Sequence, residues 1–363
     1  MTERMLDRLV RGLLDEGVAS GVFPGASACV LAGEEVAALV HAGRAATEPE
    51  PAPLTPDTLF DVASLTKVVA TTPLLMKLVG GGLALDAPLG DLLPDAGTLA
   101  RLTPRLLLAH ASGLAAWEPF YAGYHGDHDA FRRGLLRDLR SVQLAHPPGT
   151  RDLYSDLGFI VLFDLAERTT GEQFDALVRD RVLVPLGLRD TMFVPLAKGR
   201  AAATGRAFAA TERCPWRGRV LRGEVHDENA WAMGGVAAHS GLFSTARDVA
   251  RLGRWTVECF HGRRPDEVAP DVARTFLTRA GIVAGSDRCL GWDGVTRGAS
   301  SSGSRFSAES VGHTGFTGTS VWIDLAREIV VVLLSNRVHP TRDNPRIQAF
   351  RPRFHDAVME ALT

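Results

Sequence analysis

The sequence predicts an α/β (α+β) fold, in which an antiparallel sheet flanked by helices is assembled from both chain ends around an inserted all-helical segment. Apolar runs typical of strands lie near both ends, and helical spacing of apolar residues prevails from about residue 83 to 210. The 363 residues, 45% hydrophobic and 23% charged, suit a large globular unit. We therefore expect one unit over 1–363, with a sheet domain formed by 1–63 and 211–363 and a mostly helical domain formed by 64–210.

The N-terminal part is predicted to form a helix followed by two strands. Apolar residues recur with helical spacing from Leu6 to Val18. Ala26–Leu31 and Val36–His41, separated by Gly33, then indicate a strand pair. Four prolines between 49 and 56 indicate a loop.

Two helices are predicted in the middle of the chain. Ser64 is expected to open a helix over 65–79, which a run of three glycines closes. Pro73 removes one backbone donor inside this helix and is expected to kink it. A second helix is predicted from the apolar face formed between Leu157 and Leu165, and we expect it to end near Gly171.

The C-terminal part is predicted to return to sheet. Val321–Asp324 and Glu328–Leu334 are apolar, β-branched runs that indicate a hairpin. Phe354–Leu362 is expected to form a closing helix, and the Gly- and Ser-rich segment Arg297–Ser307 a loop.

Charge and cysteine usage exclude several classes of protein. Lys and Arg total 40 against 42 Asp and Glu, a net charge of −2, so the basic surplus of a nucleic-acid-binding protein is missing. The four widely separated cysteines suit neither a metal motif nor a disulfide framework, and we expect buried, reduced thiols. No apolar run approaches the roughly 20 residues of a membrane span, and the first eight residues do not resemble a signal peptide. We therefore expect a cytoplasmic protein.

Ser64-Leu65-Thr66-Lys67 is the first string with candidate chemistry. If Ser64 opens a helix, Lys67 lies one turn later on the same side, and its amine can reach the Ser64 hydroxyl. A serine hydroxyl becomes nucleophilic when a neighbouring base takes its proton, and the helix N-terminus stabilises an oxyanion. Taken alone, Ser64 is equally suited to be a plain helix N-cap.

Tyr154-Ser155-Asp156 lies between a tight turn and a helix start. Tyr154 could relay the Ser64 proton, and Asp156 could anchor Lys67. A half-buried aromatic residue followed by a helix N-cap is the structural alternative.

His313-Thr314-Gly315 precedes a strong predicted strand. A polar, glycine-containing strand start lets a substrate backbone lie alongside it. The alternative is a bend with an exposed histidine. The three strings together are far more specific than any one of them.

In this order and spacing, the three strings resemble the serine β-lactamase and penicillin-binding-protein superfamily, whose motifs run S-x-x-K, Y-x-N or S-D-N, and K-T-G. The spacing is similar to that of its class C branch, which includes class C β-lactamases, D-alanyl-D-alanine carboxypeptidases and esterases of the same fold. Further similar phrases lie at 60–67, 106–114, 148–150 and 241–246, so the likeness covers roughly residues 5–360. The resemblance implies a β-lactamase/transpeptidase-like fold.

The resemblance also implies acyl transfer without a cofactor. Ser64 would attack a carbonyl carbon, while Lys67 and Tyr154 share the base role and return the proton to the leaving group. The backbone N–H groups of Ser64 and Phe316 would form the oxyanion hole. The positions that contact the substrate would be Asp156, His313, Thr314 and Gly315.

Two residues depart from the family pattern. Asp156 replaces the usual Asn, and its carboxylate would keep Lys67 protonated, which shifts proton abstraction towards Tyr154. His313 replaces the Lys of the third motif and weakens the fixed positive charge that would hold a substrate carboxylate. Some carboxypeptidases of the family also carry His there.

We expect a serine hydrolase that acts on a small-molecule ester, amide or β-lactam, and an esterase-like enzyme is favoured because peptidoglycan lies outside the cytoplasm. The alternatives are β-lactamase or D-alanyl-D-alanine carboxypeptidase activity, and a sensor that is acylated without turnover. Metal-type ligands occur at 125–129 and at 226–229 with His239, but we expect a structural role for them and no metal.

Overall fold

A seven-stranded antiparallel sheet joins the two ends of the chain in the computed structural model, which describes residues 3–196, 205–296, 298 and 300–363. The strands are β1 Gly25–Ala32, β2 Glu35–Ala46, β3 Ala52–Pro53, β4 Phe60–Asp61, β5 Met192–Phe193, β6 Ala210–Cys214, β7 Arg219–Arg222, β8 Leu242–Ser244, β9 Asp293–Gly294, β10 Val311–Thr314, β11 Ser320–Asp324 and β12 Ile329–Ser335. The order in the main sheet is β3-β2-β1-β12-β11-β10-β9. The first and last strands of the chain therefore meet in the middle, where β1 pairs with β12.

Helices cover both faces of this sheet. They are α1 Glu3–Ala19, α2 Thr72–Gly80, α3 Leu89–Leu92, α4 Pro104–Leu108, α5 His128–Leu139, α6 Asp156–Thr170, α7 Phe174–Val178, α8 Glu228–Ala232, α9 Ala246–Phe260, α10 Pro270–Leu277 and α11 Ile347–Leu362. Short 3-10 turns lie at Ala63–Leu65, Gly97–Leu99 and Phe120–Gly123, and π-helical turns at Lys67–Thr71 and Arg179–Leu183.

The apolar core has two layers, one on each face of the sheet, because successive side chains of the central strands point to opposite faces. Val30 and Val331 belong to a cluster with residues of α1 and α11, whereas Cys29 and Val330 belong to the larger cluster that includes α9. Gly253 of α9 lies so close to the sheet that a Cβ there would be 2.5 Å from Val330 Cγ1. Because tightly packed interiors are rigid, the burial of β10 and β11 limits the movement of the turn 315–319 that connects them.

A second, small sheet positions the segment that contains Ser64. Its order is β4-β8-β5, and Phe60 pairs with Ser244 while Asp61 pairs with Phe243. The remaining strands, β6 and β7, form a two-stranded hairpin.

The predicted fold class is confirmed, with sheet from both ends and helices between them. The predicted strand pairs correspond to β1–β2 and β11–β12, and the helix expected to end near Gly171 is α6, which stops there because Gly171 adopts a φ of 74°. The proposed domain boundaries at 64 and 210 stay a prediction. The largest apolar cluster includes residues from both sides of those boundaries.

The helix predicted over 65–79 differs from the structure. Ser64 lies inside the 3-10 turn Ala63–Leu65, a π-helical turn follows, and the α-helix starts only at Thr72, with Pro73 in its first turn. Pro73, which has no backbone N–H to donate, lies just after the π-helical turn, where the regular hydrogen-bond pattern of the helix is interrupted. Periodicity located the helical segment but could not distinguish its three helix types.

The closing helix was predicted too short at its N-terminus. α11 begins at Ile347, seven residues before the predicted start, and contains Pro352 in its interior. The predicted loop Arg297–Ser307 lies partly outside the described residues, and its described part forms no helix or strand.

The four cysteines are free and buried, as predicted. Burial raises the pKa of the Cys29, Cys259 and Cys289 thiols to about 12, so these thiols stay protonated at neutral pH. Within the described part of the chain, no helix is long and apolar enough to cross a membrane.

Candidate active site

Ser64 lies in a tight, strained turn directly after β4. Ala63, the preceding residue, adopts a φ of 48°, a conformation that costs a non-glycine residue about 1–3 kcal/mol. Asp61 Oδ1 accepts a hydrogen bond from Ala63 N at 2.8 Å, and the Thr66 hydroxyl donates to Ala63 O at 2.7 Å. These bonds fix the conformation of the turn. The Ser64 side chain lines a cleft of about 680 Å³.

Lys67 is fully buried next to Ser64. Its Nζ donates hydrogen bonds to Ser64 Oγ at 3.2 Å, to Asp156 Oδ1 at 2.7 Å and to the backbone O of His239 at 3.1 Å. Three acceptors for its three protons fix the ammonium in place. The proposed contacts of Lys67 with Ser64 and with Asp156 are therefore both present.

Tyr154 completes the group from a loop at the start of α6. Lys67 Nζ lies 4.8 Å from the centroid of its ring, and the phenol interacts with both Ser64 and Lys67. The alcohol, the amine and the phenol of the three predicted strings therefore meet in one place.

His110 supports the Tyr154 loop and was missed as a functional position. Its ring lies 4.6 Å from the Tyr154 ring, and its Nδ1 accepts a hydrogen bond from Ser155 N at 3.0 Å. Burial, together with nearby Arg288 and Lys67, lowers the pKa of His110 well below its usual value, so the ring is neutral. A short phrase around residue 110 matched the family, but no chemical pattern in the sequence indicated this packing.

The electrostatics of the site hold both candidate bases in their protonated forms. Burial acts to lower the pKa of Lys67, but Asp156 and Tyr154 outweigh it, and the net shift is upward. Burial raises the pKa of Tyr154 to about 12, even though Lys67 opposes this change. The resting site at neutral pH therefore contains an ammonium and a neutral phenol.

The edge of the main sheet forms one wall of the cleft. β9 pairs with β10 only at Val311 and Gly312, so His313 and Thr314 have a strand neighbour on one side alone. The His313 ring bonds through Nδ1 to Thr314 O at 2.8 Å. The edge of β10 at His313 and Thr314 that β9 does not cover is therefore available to pair with an extended ligand.

His313 is neutral at physiological pH. Burial lowers its pKa to about 4, and Lys67 and Arg288 add to that effect while Asp293 opposes it. This position therefore carries no fixed positive charge at neutral pH, as the substitution of His for Lys in the third motif suggested.

The turn after β10 is bonded to the segment that precedes Ser64. Thr317 Oγ1 donates to Asp61 O at 2.7 Å, and Thr319 Oγ1 donates to Val62 O at 3.0 Å. Gly315 packs against the same segment, since a Cβ there would lie 2.5 Å from Val62 O. These two threonines were not singled out from the sequence, because hydroxyl-to-carbonyl contacts leave no spacing signal.

The two predicted oxyanion donors are the backbone N–H groups of Ser64 and Phe316, which lie on the two segments that these threonine bonds join. Ser64 belongs to the first turn of its helical segment, where backbone N–H groups have no intrahelical acceptor. The N–H of Phe316 has no hydrogen-bond acceptor among the residues described. Phe316 is 49% exposed, and its ring packs against the ring of His226 and the guanidinium of Arg337.

Two further residues of the cleft were missed. The Arg288 guanidinium lies 5.6 Å from the Tyr154 ring centroid and pairs with Asp293. Trp117, 42% exposed, lines the cleft on another side. Arg288 is one of 37 arginines, and nothing in its sequence neighbourhood distinguishes it.

The two candidate metal clusters have structural partners. His128 bonds to Tyr124 OH and Ala232 O, and Asp127 caps α5. His239 Nε2 pairs with Asp227 Oδ1 at 3.0 Å, and this contact holds the pKa of Asp227 below its usual value although burial acts to raise it. No group of three or more potential ligands that could hold a metal ion occurs in the described part of the chain.

Comparison with known proteins gives consistent similarities in sequence. A family model described as Beta-lactamase matches residues 7–351. The chain is 32% identical over 331 residues to N-acetylmuramyl-L-alanine amidase of Bacillus subtilis (strain 168), covering 82% of this chain and 73% of that protein. It is also 32% identical over 334 residues to a protein of Escherichia coli (strain K12) provisionally named D-alanyl-D-alanine carboxypeptidase, with the same shares of 82% and 73%.

Solved structures show the same fold at lower identity. EstCE1, described as a hydrolase with promiscuous acyltransferase activity, has a TM-score of 0.73 at 20% identity, covering 98% of this chain and 99% of that one. The octameric penicillin-binding protein homologue from Pyrococcus abyssi has a TM-score of 0.72 at 22% identity, covering 97% and 76%.

Proposed function

Because the chain belongs to the Beta-lactamase family of serine hydrolases, we propose that it hydrolyses small esters or amides through an acyl-enzyme at Ser64. The observation that supports this most is the 3.2 Å hydrogen bond from the buried Lys67 ammonium to Ser64 Oγ, in a cleft that Tyr154 also lines. A nucleophile within hydrogen-bond reach of a base that is itself held by a third group is the arrangement used in nucleophilic catalysis.

Proton transfer starts from the ammonium form of Lys67. The Lys67–Asp156 pair first loses one proton to solvent, and the neutral amine then accepts the Ser64 proton as the oxygen attacks the carbonyl carbon. Tyr154, in contact with both groups, passes its proton to the leaving alcohol or amine and takes in return the proton that Lys67 received from Ser64, so the phenol and the neutral amine are restored. Water then attacks the ester at Ser64 by the same steps in reverse, which releases the acid and restores the serine.

The negative charge of each tetrahedral intermediate is stabilised by the N–H groups of Ser64 and Phe316. Loss of one such donor typically costs about 10²–10³ in rate. The substrate lies along the free edge at His313 and Thr314.

A second candidate function is supported by Arg288. This cation lines the cleft next to Tyr154 and could bind the carboxylate of a peptide or β-lactam, a task that neutral His313 does not perform. The relatives named as an amidase and a carboxypeptidase favour the same class of substrate.

Labelling and turnover together test the proposal. A fluorophosphonate probe is expected to label Ser64, as mapped by peptide mass spectrometry, and short-chain nitrophenyl esters are expected to turn over steadily, with no effect of a chelator. Labelling elsewhere would contradict the assignment of Ser64. Labelling without steady turnover would indicate an acylated sensor instead of an enzyme.

A substrate panel separates the two candidate activities. Nitrophenyl esters, nitrocefin and D-Ala-D-Ala peptides should be compared at equal enzyme concentration. Faster turnover of the neutral esters supports the esterase-like activity, whereas a preference for the two carboxylate-bearing substrates supports the second candidate.

A further inference from the structure

Arg351 of α11 binds the backbone of the turn that contains Phe316. Its Nη2 donates hydrogen bonds to Gly315 O at 3.1 Å and to Thr319 O at 3.0 Å. Gly315 N in turn donates to Thr319 O at 2.8 Å, and Gly318 N to Gly315 O at 3.1 Å. One guanidinium nitrogen thus joins the carbonyl groups at the two ends of this turn.

The carbonyl of Gly315 and the N–H of Phe316 belong to the same peptide unit. In a trans peptide these two groups point in opposite directions and share one delocalised bond system. A cation at the oxygen draws electron density away from the nitrogen, which makes the N–H a stronger hydrogen-bond donor. Arg351 lies at the oxygen end of this peptide, and the N–H end is the one without an acceptor in the described structure.

The charge of Arg351 is not neutralised by its surroundings. The side chain is buried, and no carboxylate pairs with it among the described residues. The charged groups that face it include Arg337, and burial with this neighbour lowers the pKa of Arg351 only to about 10, so the guanidinium is charged at neutral pH. An unpaired buried cation is costly, which favours a functional reason for its presence.

We infer that Arg351 is a positioning residue that orients and polarises the Gly315–Phe316 peptide, so that the Phe316 N–H stabilises the oxyanion. This inference rests on the proposed acyl transfer at Ser64. Arg351 also lines the cleft, but its Nη2 binds the carbonyl at the opposite end of the peptide from the Phe316 N–H, so it acts on the transition state through the backbone. Its removal should therefore lower kcat and leave KM nearly unchanged.

Arg217 provides a control outside the cleft. Its side chain is only 3% exposed and its Nη1 donates to Val225 O at 2.7 Å, but it neither lines the cleft nor bonds to the turn that contains Phe316. Arg217→Met therefore removes a buried guanidinium bonded to a backbone carbonyl while the Gly315 carbonyl stays bound.

The test compares Arg351→Met, Arg351→Lys and Arg217→Met with the unaltered protein on a nitrophenyl ester. We expect Arg351→Met to lower kcat by about tenfold to a hundredfold, part of the loss caused by removing an oxyanion donor. Arg351→Lys should recover part of that loss, and Arg217→Met should change kcat much less. Thermal unfolding identifies any variant that fails to fold.

The acyl-enzyme provides a spectroscopic measurement that a purely structural role would not affect. With a slowly hydrolysed ester, the infrared stretch of the Ser64 ester carbonyl should move to higher frequency in Arg351→Met, because a weaker donor polarises the carbonyl less. It should stay in place in Arg217→Met. An unchanged frequency and kcat in Arg351→Met, or equal losses in both Met variants, would overturn the inference. Failure of the unaltered protein to form any acyl-enzyme would instead overturn the proposed function.

Discussion

Asp156 Oδ1 lies 2.7 Å from Lys67 Nζ, and the Lys67 side chain is completely buried. Burial alone would favour the neutral amine, but the carboxylate and Tyr154 reverse that preference. The amine that we propose as the base is therefore held in its protonated form, and the pH at which it loses its proton depends on Asp156.

Replacing Asp156 should change the pH dependence of acylation. In the unaltered protein kcat/KM should rise towards alkaline pH, as Lys67 loses its proton. In Asp156→Asn the anion is gone while burial remains, so the pKa of Lys67 falls and the rising limb should move to lower pH. Asp152→Asn, the same change at an exposed residue of the same loop, is the control. The measurement is kcat/KM for a nitrophenyl ester across the pH range, and an unmoved limb in Asp156→Asn would contradict the account.

Removing the phenol of Tyr154 should slow acylation. General acid–base groups typically contribute about 10²–10⁴ in rate, and Tyr154→Phe should lose a factor in this range in the burst of nitrophenol release. Tyr124→Phe removes a phenol that bonds to His128 instead, and its burst should be unchanged. A normal burst in Tyr154→Phe would show that the proton follows another path.

A lysine at position 313 should increase recognition of carboxylates. His313 is neutral at pH 7 because burial lowers its pKa to about 4, whereas a lysine ammonium there would lie close to Asp293 and keep its charge. His313→Lys should raise kcat/KM for a carboxylate-bearing substrate by about tenfold, equivalent to about 1.4 kcal/mol. The neutral methyl ester of the same substrate is the control, and equal gains for both compounds would count against an effect of charge.

The aromatic wall of the cleft should determine which acyl groups bind well. Trp117 lines the cleft, whereas Trp216 is similarly exposed, at 41%, but lies outside it. Trp117→Ala should raise KM for aromatic esters by about threefold to tenfold with little change for acetate esters. Trp216→Ala is the matched control, and similar KM values in Trp117→Ala and the unaltered protein would contradict this role.

Much of the fold could be predicted from local patterns. The strand β1 is a buried run of small and apolar residues, β12 is rich in β-branched residues, and α6 ends at a glycine, so local sequence patterns were sufficient there. The 3-10 and π-helical turns around Ser64 could not be predicted, because tertiary hydrogen bonds such as that from Leu242 N to Thr66 Oγ1 set their geometry. The early start of α11 was missed, since the proline in its interior argues against a helix.

The residues with side-chain chemistry were also predictable, while their supports were not. Ser64, Lys67 and Tyr154 belong to recognisable strings, and the structure brings them together. His110 and Arg351 act through ring packing and bonds to backbone carbonyls, contacts that depend on distant parts of the chain meeting. No spacing rule in the sequence reveals such contacts.

The central claim is that Ser64 is the nucleophile, and replacing it by alanine tests this most directly. Hydrolysis of a short-chain nitrophenyl ester should be measured for the unaltered protein, for Ser64→Ala and for Ser240→Ala, a second serine of the same cleft. We predict no hydrolysis above the uncatalysed rate for Ser64→Ala with an unchanged unfolding temperature, and measurable turnover for Ser240→Ala. Turnover by a folded Ser64→Ala variant at the rate of the unaltered protein would contradict the account.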